Sequence, residues 1–114
     1  MKNIGENKKV IHLQVFVSPQ CAGGSCPPDC GEDAVEMTNT INEVVAQHKG
    51  QITGEYINIF HPLVRTHHLD VIKQLRQHGL LILPILKING QTIANLQTFN
   101  REQFIDVIEK ELKA

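Results

Sequence analysis

From Val10 to Val17 apolar and polar residues partly alternate, so that Ile11, Leu13, Val15 and Val17 share one face of an extended chain and Val10, His12, Gln14 and Phe16 the other. This run predicts a strand, stopped by Ser18-Pro19. The next pattern has helical spacing. Ala34, Met37, Ile41, Val44 and Val45 recur on one face up to His48, Glu32 and Asp33 place negative charge at the amino end, and Gly50 stands as a C′ residue. Ile52 to Ile59 returns to strand character and His61-Pro62 closes it. Strand, crossover helix and strand make a right-handed parallel unit. Leu69, Ile72 and Leu75 predict a second helix from about Thr66, ended by Gly79. The apolar run Leu80 to Ile88, interrupted by Pro84, and the segment Gln91 to Ala94 predict two antiparallel strands joined at Asn89-Gly90, a strong hairpin signal. Asn100 and Gln103 have capping-box spacing, and Phe104, Val107, Ile108 and Leu112 give a final amphipathic helix. The order is βαβαββα, an α/β class.

Length and charge narrow the partners. A chain of 114 residues forms one domain, expected over residues 10–114, behind a polar tail of residues 1–9 expected to be disordered. A formal net charge of −1 and scattered lysines provide no basic stripe for nucleic acid or an anionic membrane. The longest apolar run, Leu80 to Leu86, is far below the roughly 18 residues that span a bilayer. Residues 1–9 hold no hydrophobic segment of the kind a secretory signal needs, so a cytoplasmic protein is expected.

All three cysteines fall within ten residues, as Cys21-Ala-Gly-Gly-Ser-Cys26-Pro-Pro-Asp-Cys30, between the first strand and the first helix. A segment there leaves the carboxyl edge of the sheet, where α/β folds place their sites. A thiol near a helix amino terminus ionises more readily, and the thiolate is both nucleophile and metal ligand. An odd count in a reducing compartment argues against a structural disulfide framework.

Two chemistries follow. Thiol–disulfide exchange needs two sulfurs within bonding reach, and the Ala22 to Ser25 spacer allows this for Cys21 and Cys26, while Pro27 and Pro28 restrict closure of Cys26 on Cys30. Cys30, nearest the helix, competes with Cys21 as nucleophile through the dipole. A protein disulfide or a thiol reductant would then be the partner. Alternatively, three thiolates suit a soft ion: As(III) or Sb(III) at a trigonal site, or Zn with a fourth ligand. An iron–sulfur cluster lacks its fourth cysteine.

Strand direction sorts the histidines. His61, His67 and His68 follow the second parallel strand and are expected at the cysteine edge, with His61 the candidate fourth ligand and Arg65 beside them. His12 lies about 16 Å below the end of its strand at about 3.3 Å per residue. His48 and His78 end helices expected to run back to that far edge.

The element order, the cysteine segment and the apolar-Pro pair Leu83-Pro84 opening the third strand resemble the thioredoxin-fold superfamily over residues 10–113. The resemblance implies a four-stranded mixed sheet with helices on both faces. It also implies a cis peptide at Pro84 facing the active-site cysteines, which places Pro84 with Cys21, Cys26 and Cys30 among the catalytic candidates and Cys21 as the nucleophile. Val15-Phe16-Val17-Ser18-Pro19-Gln20-Cys21 with Cys26, and Leu83-Pro84-Ile85-Leu86 running into Asn89-Gly90, resemble the ArsD arsenical metallochaperone and repressor family. That family implies arsenite or antimonite held by three thiolates. Its second cysteine is adjacent to the first, where this chain has Gln20 and Ala22, so Cys30 would supply the third thiolate. The hairpin and last helix are similar to small YuzD-type disulfide oxidoreductase-like proteins, whose Cys-x-x-Cys this chain lacks. Disulfide exchange stands as the first expectation and soft-ion binding as the second. A thioredoxin-like interaction module with no active cysteine is the third.

Overall fold

The strand that the alternation picks out first, β1 (Ile11–Val17), is hydrogen-bonded on both sides, and the other elements are arranged around it. The computed structural model describes residues 10–19, 23 and 31–113. Residues 1–9, expected to form a disordered tail, lie outside the described residues.

β1 is followed by α1 (Glu32–Gln47), β2 (Ile52–Asn58), α2 (Pro62–His67), α3 (Leu69–His78), a single 3-10 turn at Leu80–Ile82, β3 (Ile85–Ile88), β4 (Gln91–Asn95) and α4 (Arg101–Lys113). The four strands form one mixed sheet in the order β2-β1-β3-β4, and its architecture is compatible with a thioredoxin-like fold. β2 runs parallel to β1, with Ile11 opposite Ile52 and Val17 opposite Asn58. β3 runs antiparallel to β1, and β4 antiparallel to β3.

Alternation in β1 divides the interior in two. Ile11, Leu13, Val15 and Val17 point to one face and are buried with Ala34, Met37, Ile41 and Val44 of α1, Leu86 and Ile88 of β3, and Phe104 and Ile108 of α4. Phe16 points the other way and is buried with Ile59, Val64 of α2, Val71 of α3, and Ile82, Leu83 and Ile85. Helices therefore cover both faces.

Local chemistry explains the element ends. Gln103 N donates to Asn100 Oδ1 at 3.0 Å, the cap that starts α4. At the hairpin Asn89 (φ 49°) and Gly90 (φ 86°) both take left-handed backbone, the type I′ geometry that matches strand twist. Between Leu86 and Lys87 the β3–β4 register shifts by one residue: Leu86 faces Ala94 but Lys87 faces Thr92, so β4 carries a bulge at Ile93.

Four features of the element ends differ from the pattern-based expectation. The second helical region starts at Pro62 instead of Thr66, because proline is pre-organised for the first helical position and its missing N–H costs nothing there. That region is also broken at His68 (φ −132°, ψ 54°) into α2 and α3. The apolar run from Leu80 is not strand throughout: Leu80–Ile82 forms a 3-10 turn, Leu83 N donates to Leu80 O at 3.1 Å, and β3 begins only after Pro84. Gly50 stands one residue beyond the C′ position, since His48 is the C-cap of α1. Among the described residues no helix is long and apolar enough to cross a membrane.

Candidate functional site at the carboxyl edge of the sheet

Cys21, Cys26 and Cys30 lie outside the described residues, so the site is described through the elements that bracket it. Val17, 1% exposed, ends β1, and its carbonyl accepts from Ile59 N at 3.0 Å, which carries the ladder past the last residue of β2. On the other flank Phe16 pairs with Ile85, the residue after Pro84. The Leu83–Pro84 peptide is cis, as the resemblance implies, and Pro84 is buried. The chain therefore leaves β1 toward residues 18–31 beside Pro84. It returns at Gly31 (φ 97°), whose carbonyl accepts from Val35 N at 3.1 Å, and α1 opens with Glu32 and Asp33 in its first turn.

His61 caps α2. Its Nδ1 accepts from Leu63 N at 3.1 Å, which requires a neutral ring with its proton on Nε2. Binding a metal through Nε2 moves the proton to Nδ1 and removes the cap, so ligation by His61 competes with the start of α2. His67 and Arg65 are exposed on α2.

His68 is turned inward, with its ring centroid 4.7 Å from that of Phe16 and its Nδ1 3.2 Å from Lys87 Nζ. Lys87, 4% exposed, also donates to Asp70 Oδ1 at 2.8 Å. Asp70 Oδ2 accepts from Thr92 Oγ1 at 3.3 Å, and Thr92 Oγ1 accepts from Gln74 Nε2 at 3.4 Å. This cluster holds α3 against the sheet, and periodicity did not single it out. Its one sequence signal is a lone cation, Lys87, inside the apolar run that ends at Ile88.

Burial, and next the neighbouring Lys87 charge, hold His68 below the ordinary imidazole value; Asp70 and Glu55 oppose this and His67 adds to it. Burial alone would raise the Asp70 carboxyl, but the hydrogen bond and charge of Lys87 outweigh it and hold the group below its ordinary value.

The remaining histidines separate as follows. His12 is remote from the edge, its Nδ1 2.9 Å from Thr53 Oγ1, and His48 caps the far end of α1 beside the start of β2. α3, however, does not run back along the strands. It starts over β1 and β3 through His68 and reaches β4 through Gln74, so it crosses the sheet, and His78 at its end leads by way of the 3-10 turn to Pro84. Among the described residues no three His, Cys, Asp or Glu side chains are grouped to hold a metal ion.

No protein-family model and no curated protein sequence matches the chain. Solved structures do. A Staphylococcus aureus protein of unknown function matches with a TM-score of 0.59 at 15% identity, covering 91% of this chain and 93% of that one. An arsenical resistance operon trans-acting repressor from Bacteroides vulgatus matches with a TM-score of 0.54 at 23% identity, covering 92% of this chain and 93% of that one. At these identities the likeness is one of fold.

Proposed function

We propose that the chain binds a soft trivalent ion of the arsenite class through the thiolates of Cys21, Cys26 and Cys30. The supporting observation is the fold shared over 92% of this chain with an arsenical resistance operon repressor, in a protein whose three cysteines all fall between β1 and α1. Three thiols condense with arsenous acid to give three As–S bonds and release three waters, with each thiol proton leaving on a departing hydroxyl. Zinc needs a fourth ligand, and His61 could supply it through Nε2 only by giving up its cap. Cys30 directly precedes Gly31 at the head of α1, where a helix amino terminus favours a thiolate. Pro84 stands beside the end of β1, after which the chain continues toward Cys21.

Disulfide exchange is the second reading, favoured by the same helix start and by Pro84 beside the end of β1. In it the Cys21 thiolate attacks a protein disulfide and releases one thiolate, and Cys26 then displaces the mixed disulfide, leaving Cys21–Cys26 oxidised and the substrate reduced.

Thiol alkylation of the purified protein with and without arsenite separates the two. Ion binding protects all three cysteines at one ion per chain, and Cys21→Ser, Cys26→Ser and Cys30→Ser each weaken binding. Undiminished affinity in Cys30→Ser refutes the trithiolate site. Oxidation of two thiols with the third spared, in a glutathione titration over about −300 to −150 mV, establishes the exchange reading instead.

A further inference from the structure

The layer formed by α2 and α3 is tied to the sheet by a buried cation. Lys87 is the single charged residue of β3, its side chain 5% exposed between Ile85, Leu86 and Ile88. Its Nζ donates to Asp70 at 2.8 Å, contacts His68 Nδ1 at 3.2 Å and lies 5.5 Å from the centroid of the Phe16 ring. An ammonium has donors and no acceptor, so His68 Nδ1 must present a bare lone pair and carry its proton on Nε2. A proton added at Nδ1 removes that acceptor. It also puts a second positive charge 3.2 Å from the first, in a setting less polar than water.

The groups that face His68 come from every element around it: Lys87 from β3, Asp70 from α3, His67 from α2, Glu55 from β2, and the uncharged Phe16 ring from β1. The carboxylates favour the proton and the cations oppose it. Lys87, at hydrogen-bond distance, is the nearest opposing charge. The layer is attached at one edge of the sheet at both ends, entering from β2 at His61 and leaving through the 3-10 turn to Pro84. Val64 and Val71, fully buried against Phe16 and Ile85, hold the layer by apolar packing; the lysine contact, three residues beyond Pro84, adds a charged tie whose loss loosens the layer without breaking a strand pair.

We propose that His68, Lys87 and Asp70 form a proton-operated latch. With His68 unprotonated the α2–α3 layer is closed on the sheet; protonation of its Nδ1 loosens the layer over Phe16, Ile57 and Ile85 beside the edge where Pro84 lies. The closed state is fully favoured above the ordinary imidazole value of 6.5, and the advantage falls away as pH drops through the lowered value of folded His68. This inference is independent of which ion or disulfide the cysteines meet.

The test is amide hydrogen exchange of the full chain between about pH 7.5 and about pH 5, corrected for the intrinsic pH dependence of exchange. Protection of Val64, Val71 and Ile72 relative to Leu13 and Ile41 falls several-fold on acidification, by no more than about tenfold per pH unit because one proton is taken up. In His68→Phe, which keeps a ring against Phe16 and cannot titrate, the ratio stays flat. In Lys87→Met the His68 ring, followed by its NMR shifts, titrates at a higher pH than in the wild type. A flat wild-type ratio, a fall that persists in His68→Phe, or an unmoved His68 titration in Lys87→Met each overturns the latch. If Lys87→Met does not fold, the wild-type and His68→Phe profiles decide alone.

Discussion

The two faces of the sheet are built on different principles. On the α1–α4 face β1 presents four aliphatic side chains in a row, all with 1% exposure or less, to apolar residues from two helices and β3. On the α2–α3 face one apolar row, Phe16, Ile57 and Ile85, gives way to a polar row in which Gln14 donates to Glu55 at 3.3 Å and Lys87 to Asp70 at 2.8 Å. Burial of apolar area responds weakly to pH and salt, whereas charge pairs respond to both. Both faces therefore bury apolar cores that stabilise the fold, and the second adds a buried charge that makes part of the molecule responsive to conditions.

The largest expected effect lies on the first face. Leu13→Ala, at 1% exposure, removes buried methylenes from a close-packed site and costs about 2–5 kcal/mol by denaturant unfolding. A loss under about 1 kcal/mol contradicts the assignment of that face as the main core.

Charge removal on the second face comes next, and the two partners differ. Asp70→Asn leaves Lys87 buried with its charge weakly matched and costs about 1–3 kcal/mol, below the full penalty for a buried pair because Asp70 is 52% exposed. Lys87→Met removes the buried charge while Asp70 returns to water, and it stays within about 1 kcal/mol of the wild type. Equal losses in the two variants show that the pair acts only as packing. Asp70 also has a pH signature. Its carboxyl is held below the ordinary value, so its contribution is present above about pH 4 and is lost as pH falls through the folded value. The acid limb of the wild-type melting curve flattens in Asp70→Asn.

The smallest effect belongs to a surface pair. Arg101 donates to Glu43 at 3.2 Å, with both side chains about half exposed. Arg101→Ala changes stability by no more than about 0.5 kcal/mol, a difference that shrinks in high salt.

The same contrast governs what could be read from the residues. The first face was legible because its signal is local: the period-2 row of β1 and the helical stripes of α1 and α4 each state their own burial. Asn89-Gly90 and Asn100 with Gln103 were equally direct, since turn and cap chemistry acts over a few residues. The second face was not legible in the same way. At the break, the ring of His68 packs on Phe16 and meets Lys87, which are 52 and 19 residues away in the chain, and no local pattern brings them together. His61-Pro62 reads equally as the end of a strand and as a helix start; the histidine, acting through Nδ1, decides between them. At the candidate site, sequence and structure agree on the frame, with Pro84 beside the end of β1, while the cysteines lie outside the described residues.

The bulge at Ile93 has a consequence for how copies of this protein meet. Among the described residues the mixed sheet ends in β2 on one side and β4 on the other, and a flat edge is a template for adding strands from another molecule. By taking up one extra residue, β4 bends and twists, so its outer hydrogen-bonding groups cannot all align with an incoming straight strand. At the opposite edge β2 exposes Thr53, Gly54 and Glu55, and the glutamate repels its own copy in a register that sets the two side by side. The shift that brings Thr92 opposite Lys87 thus also helps to protect the sheet from growing into an aggregate.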